Sequence, residues 1–204
     1  MDVVPQALLF LGVIPALILL FITLKGYDEI YKEKIMFLMF IAGVIIGIVS
    51  IIIESVTSRQ VPLIVFFTIY PFLEQTFKTV VLNLRRFQGK KVTPIYGLSL
   101  GVGFGSVFTP YLMIVTSGSK DPNIIYLAFA ASLGVIIING ATGVLIGYGV
   151  YTSDLTKYLI SSVLLTIPIP IFFIVPYAAL ALIPYGLVLY WYSTMIILPR
   201  IKTK

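Results

Sequence analysis

Residues 158–199 read YLISSVLLTIPIPIFFIVPYAALALIPYGLVLYWYSTMIILP, a run without a single acidic or basic side chain. A helix crosses the hydrocarbon core of a bilayer with about 20 apolar residues. This run is therefore long enough for two crossings. Pro168, Pro170, Pro176 and Pro184 punctuate it. The spacing predicts two helices, over 157–174 and 178–198, joined by a tight turn near Val175–Tyr177. Proline is tolerated in membrane helices where neighbouring groups re-satisfy the freed carbonyls. One span followed by a re-entrant segment is the other reading of the same run.

Working outward, five more apolar runs precede it, over 3–24, 35–53, 61–84, 95–116 and 123–151. Segment 54–60 reads as a short polar link, and 123–151 is long enough to tilt or break. With the hairpin, the expected fold is all-α, a single integral membrane domain over 1–204 that crosses the cell membrane seven times. Lys and Arg decide the orientation. Seven spans put loops 25–34, 85–91 and 154–157 on the same side as the C-terminus, with eleven basic residues. Only Arg59 and Lys120 fall on the other side. Basic loops stay cytoplasmic, so the N-terminus is expected outside and the C-terminus inside. Six spans would move Arg200, Lys202 and Lys204 outward and blur the split. Tyr190, Trp191 and Tyr192 fit an interfacial aromatic belt.

Composition supports the same class. Of 204 residues, 59% are hydrophobic and 11% charged, against about 25% charged in soluble chains. The net charge of +6 is read as a topology signal, and the bilayer, not a nucleic acid, is the expected partner. With no Cys and no His, disulfides, thiolate nucleophiles, His-ligated metals and His bases are excluded. No cofactor or metal is expected. The first apolar run has no basic flank before it and no small-residue cleavage site after it, and is read as a retained helix.

Three segments carry candidate function. Pro71-Phe72-Leu73-Glu74-Gln75-Thr76-Phe77-Lys78 places an acid and a base inside the third span. Each costs about 2.5–3.5 kcal/mol to insert at the centre of a helix. The i, i+4 spacing sets Glu74 and Lys78 on one face, within reach of an ion pair. Tyr96-Gly97-Leu98-Ser99-Leu100-Gly101-Val102-Gly103-Phe104-Gly105-Ser106 repeats glycine every fourth residue. Gly97, Gly101 and Gly105 form a groove for a close helix partner, from this chain or from another membrane protein. Asn139-Gly140-Ala141-Thr142-Gly143-Val144-Leu145-Ile146-Gly147-Tyr148-Gly149 offers a second small-residue row in Gly143 and Gly147. Counting at 1.5 Å per residue, Glu74 and Asn139 lie at about 20 and about 24 Å from the outer ends of their spans. Glu74, Gln75, Lys78 and Asn139 are thus the expected polar centre. Glu74 is a candidate partner for Asn139, and Gly140 a candidate break in the fifth span.

In this order, the three segments resemble the PrsW-type intramembrane proteases and their distant relative, the anterior-pharynx-defective subunit of gamma-secretase. The family's Glu-Glu-x-x-Lys run reads here Glu74-Gln75-Thr76-Phe77-Lys78. Its Tyr-Gly-x-x-x-Gly-x-Gly-Phe-small run matches Tyr96 to Ser106, and its closing Gly-Tyr-Gly matches Gly147-Tyr148-Gly149. The likeness covers about residues 70–150 and implies the seven-span fold. The departures fall on the chemistry. Gln75 stands for the second acid, Phe108 or Thr109 for the acid after the glycine run, and Asn139 for the motif histidine. The resemblance with these losses implies a non-catalytic scaffold, or a partner- or substrate-binding subunit that uses the Gly97/Gly101/Gly105 face. Residual proteolysis with Glu74 as catalytic base is one alternative, and a small solute or ion permease another.

Overall fold

The computed structural model describes residues 4–57, 62–170 and 175–203. Arg59 of the 54–60 segment, residues 171–174 before the expected turn, and Lys204 lie outside them. The chain is helical, with no strand among the described residues. Among the described residues the helices run in the order α1 (Val4–Leu24), α2 (Glu33–Thr57), α3 (Leu63–Leu82), α4 (Thr93–Ser106), α5 (Phe108–Thr116), α6 (Pro122–Thr152) and α7 (Leu155–Thr166). A 3-10 helix at Pro176–Ala181 leads into α8 (Leu182–Trp191), a π-helical turn at Tyr192–Ile197 and the short α9 (Arg200–Thr203).

Among the described residues, four stretches are long and apolar enough to cross a membrane: Glu33–Thr57, Thr93–Thr116, Pro122–Thr152 and Ala179–Lys202. Phe10–Leu24 and Leu155–Pro170 are shorter apolar helices. Their outer faces are large and apolar. Phe21 is 77% exposed, and Ile22, Ile45, Ile52 and Ile64 are also exposed. An apolar surface this extensive needs an apolar solvent, so the bundle is that of a membrane protein.

Local chemistry explains where the helices begin and break. Asp121 caps α6 by accepting from the Asn123 backbone N–H at 2.9 Å, with Pro122 in the first turn. Ser153, at φ 62°, turns the chain out of α6 in the left-handed region. Contrary to expectation, α6 is unbroken at Gly140. The break falls instead at Val107, between α4 and α5. Pro110 is the cause: it has no N–H for the Ser106 carbonyl, and its ring crowds that carbonyl. The Ser106 hydroxyl donates back to the Gly103 carbonyl at 2.7 Å. The segment beginning at Glu54 also differs from expectation, because α2 continues to Thr57.

Helix α4 is the axis of the bundle, buried at every residue. Its most extensive neighbour is α6. The two glycine rows face each other. A methyl group on Gly97 would strike the Gly143 carbonyl, and one on Gly143 the Gly97 carbonyl. One on Gly101 would strike the Asn139 carbonyl, one on Gly105 would sit 2.7 Å from Ile136 Cα, and one on Gly147 2.6 Å from the Thr93 carbonyl. Helix α2 approaches another side of α4, with Gly43 against Leu100 and Gly47 against Phe104, and Gly12 of α1 rests on Ser106. Dispersion between touching backbones holds such contacts where lipid offers no hydrophobic drive. The partner of the Gly97/Gly101/Gly105 face, which the sequence left as a helix of this chain or of another membrane protein, is α6 of the same chain.

Candidate functional site

Helix α3 carries the polar side chains into the bundle. Lys78 is fully buried and lies 4.5 Å from the Phe104 ring centre. An ammonium has three protons to place, and each finds an oxygen. Nζ donates to Gln75 Oε1 at 3.1 Å, to Asn139 Oδ1 in a short bond, and to Thr142 Oγ1 at 3.5 Å. Gln75 Nε2 donates to Thr166 Oγ1 at 3.3 Å, tying α3 to α7. Asn139 Nδ2 donates to the Val135 carbonyl of its own helix at 2.9 Å. The spacing of these residues on α3 and α6 thus converges on one ammonium. Asn139 partners Lys78, not Glu74, and no ion pair between Glu74 and Lys78 closes among the described residues.

Glu74 faces a different neighbour. It is 8% exposed, and Glu54, from the last turn of α2, shares a cavity wall with it. The Ser50 hydroxyl donates to Glu54 Oε1 at 3.3 Å. Neighbouring carboxyls can share a proton, one member donating while the other accepts. The two helices thus bring together a pair able to give a proton from one member and take one at the other. Among the described residues no third acid joins them.

The pair lines a cavity of about 320 Å³. Phe66, Tyr70 and Pro71 of α3, Phe108, Tyr111 and Leu112 of α5, and Thr166 and Ile169 are among the other residues of its wall. Two tyrosines of the wall are tied to the last turn of α2 by hydroxyl contacts. Thr57 Oγ1 and Tyr70 Oη lie 2.6 Å apart, and the Ser55 hydroxyl donates to Tyr111 Oη at 3.5 Å. Mostly apolar walls with a few convergent polar groups are what a binding site for an apolar ligand requires.

Glu54 was missed in the sequence because it stands at the end of an apolar run, where an acid reads as a loop residue. The available signal was Ser50 one turn before it, on the same helical face. Of the residues singled out, Glu74 faces the cavity, Gln75, Lys78 and Asn139 form the closed cluster beneath it, and the five glycines pack helices.

That cluster predicts a coupled response. Lys78→Met leaves buried acceptors unpaired, at about 1–3 kcal/mol each. Asn139→Leu strands a buried charge, at about 3–5 kcal/mol. The double variant removes both partners and is expected to lose clearly less than the sum, by roughly 0.5–3 kcal/mol, in denaturant unfolding from micelles. Additive losses would mean that the two side chains do not act as a unit. No protein-family model, curated protein or solved structure matches this chain.

Proposed function

We propose that the chain is a seven-span protein of the cell membrane, N-terminus outside and C-terminus inside, that hydrolyses peptide bonds within the bilayer at the Glu54–Glu74 pair. The observation that carries this reading is that Glu54 and Glu74, from two helices, line one largely apolar cavity. The likeness of residues 70–150 to PrsW-type proteases, combined with the loss of that family's other acids and histidine, argued for a scaffold while Glu74 was the only carboxylate in view. Glu54 supplies the second from another helix. Phe108, which with Thr109 is one of the two residues standing where the family carries an acid, lines the same cavity. The Gly97/Gly101/Gly105 row, the face on which the scaffold reading relied, packs on α6.

The chemistry balances with water as the only co-reactant. The ionised carboxyl takes a proton from water as the water oxygen bonds to the amide carbon. The protonated carboxyl gives its proton to the leaving nitrogen as the C–N bond breaks. The products are a carboxylic acid and an amine, and a proton passed between the carboxyls resets the pair. Each transfer by a positioned side chain contributes about 10²–10⁴-fold.

The test is incubation of the purified, reconstituted protein with membrane-embedded helical peptides, with product masses read by mass spectrometry. Cuts within the apolar segment are expected. No cleavage across a broad panel overturns the reading, and ion flux into liposomes that disappears in Glu74→Gln would identify a permease instead. The topology has its own test, made simple by the absence of native cysteine. Gln88→Cys is expected to react with a membrane-impermeant maleimide only after cells are opened, and Lys120→Cys in intact cells. The reverse pattern would invert the orientation.

A further inference from the structure

A second cavity, of about 590 Å³, lies where α1 ends and α2 begins. Its wall has two chemical levels. Lys25 and Lys34 are its basic lining, with Tyr31 between them in the chain, while Phe21, Leu24, Met36 and Phe37 are its apolar lining. Phe21 comes four residues before Lys25, and Phe37 three residues after Lys34. In both helices the aromatic ring therefore sits about one turn, about 5 Å, deeper in the bundle than the cation. Phe21 and Phe37 are exposed, at 77% and 51%.

Two acids also touch this cavity, and both are matched locally. Asp28 accepts from the Gly26 N–H and from the Tyr31 hydroxyl, each at 3.4 Å. Glu33 sits in the first turn of α2, where free backbone N–H groups favour an anion. Lys25 and Lys34 have no ion-pair partner among the described residues. The connecting loop is held in shape from the far end of the chain. Lys202 Nζ donates to the Gly26 carbonyl at 2.7 Å and lies 3.9 Å from the Tyr27 ring centre.

Two cations above two exposed rings reproduce the order of a phospholipid, with its anionic group at the membrane interface and its hydrocarbon beneath. We propose that this cavity holds one membrane phospholipid, with its phosphodiester between Lys25 and Lys34 and a hydrocarbon chain along Phe21 and Phe37. The volume falls in the range of ligand sites, about 300–1,000 Å³. This assignment needs the bundle to sit in a bilayer but does not depend on the Glu54–Glu74 pair.

The test is native mass spectrometry of the delipidated protein titrated with a short-chain phosphatidylglycerol. One lipid is expected to bind. Lys25→Gln and Lys34→Gln are each expected to weaken it about fivefold, the effect of one basic residue near an anionic surface, and together roughly twentyfold to thirtyfold. Phe37→Ser is expected to weaken binding with every charge intact. Lys120→Gln, beyond the opposite end of the bundle, is expected to leave it unchanged. Unchanged binding in the double lysine variant overturns the assignment. So does equal competition by inorganic phosphate, which would make the cavity an anion site without a lipid.

Discussion

Glu74→Gln is expected to lower peptide cleavage by the reconstituted protein by at least about a hundredfold, and Glu54→Gln by a similar factor. Glutamine has the shape of glutamate, and its N–H₂ can donate to the carboxylate that remains. The contact between α2 and α3 therefore survives each single change, and thermal unfolding in micelles should move little. What is lost is a group that can take a proton from water and release one to the leaving nitrogen. Because both carboxyls serve the same transfers, the double variant is expected to be no worse than either single one, as for residues that act as a unit. Full activity in Glu54→Gln would break the pair as a mechanism and leave Glu74 acting alone. Lost activity accompanied by lost stability in Glu74→Gln would reduce Glu74 to a structural role.

Helices and their apolar surfaces were legible in the sequence because length and hydropathy report them directly. The runs at 35–53 and 123–151 lie within α2 and α6. The break in the fourth run was not legible. Pro110 signals one, but so do the glycines before it, and only packing decides which of them bends the chain. Glycine spacing announced a close approach without naming the partner. That needed the register of α6, which sets Gly143 against Gly97 and Asn139 against Gly101. The polar residues were found by their cost in an apolar run, which picks out Glu74, Gln75, Lys78 and Asn139. Cost gives no directions, however. Lys78 is longer than Glu74 and reaches α6 from one turn further along α3, so the ammonium takes Asn139 and leaves the carboxyl to the cavity it shares with Glu54. Helical spacing on α3 cannot supply a neighbour that arrives from α2.

Gly101→Leu is expected to prevent assembly of the bundle, or to destabilise it by more than about 3 kcal/mol, the upper end of ordinary overpacking. Its neighbours leave no room to adjust. A side chain at Gly101 meets the Asn139 carbonyl and the Gly140 Cα, 3.1 Å from the added Cβ, and both are backbone inside a continuous helix. Relief must come from moving α6 as a body. That movement also opens the Gly97–Gly143 contact one rung along and draws Asn139 away from Lys78. Packing and the polar cluster are then one unit, and even Gly101→Ala is expected to weaken both. In a Lys78→Met background, where the Asn139 bond is already lost, Gly101→Ala should cost less than in the native chain. Gly118, with open space around it, is the control, and Gly118→Leu is expected to change stability by no more than about 0.5 kcal/mol. Equal costs of Gly101→Ala in the two backgrounds would mean that the glycine row and the buried ammonium are independent, and that α4 and α6 can part without disturbing the site.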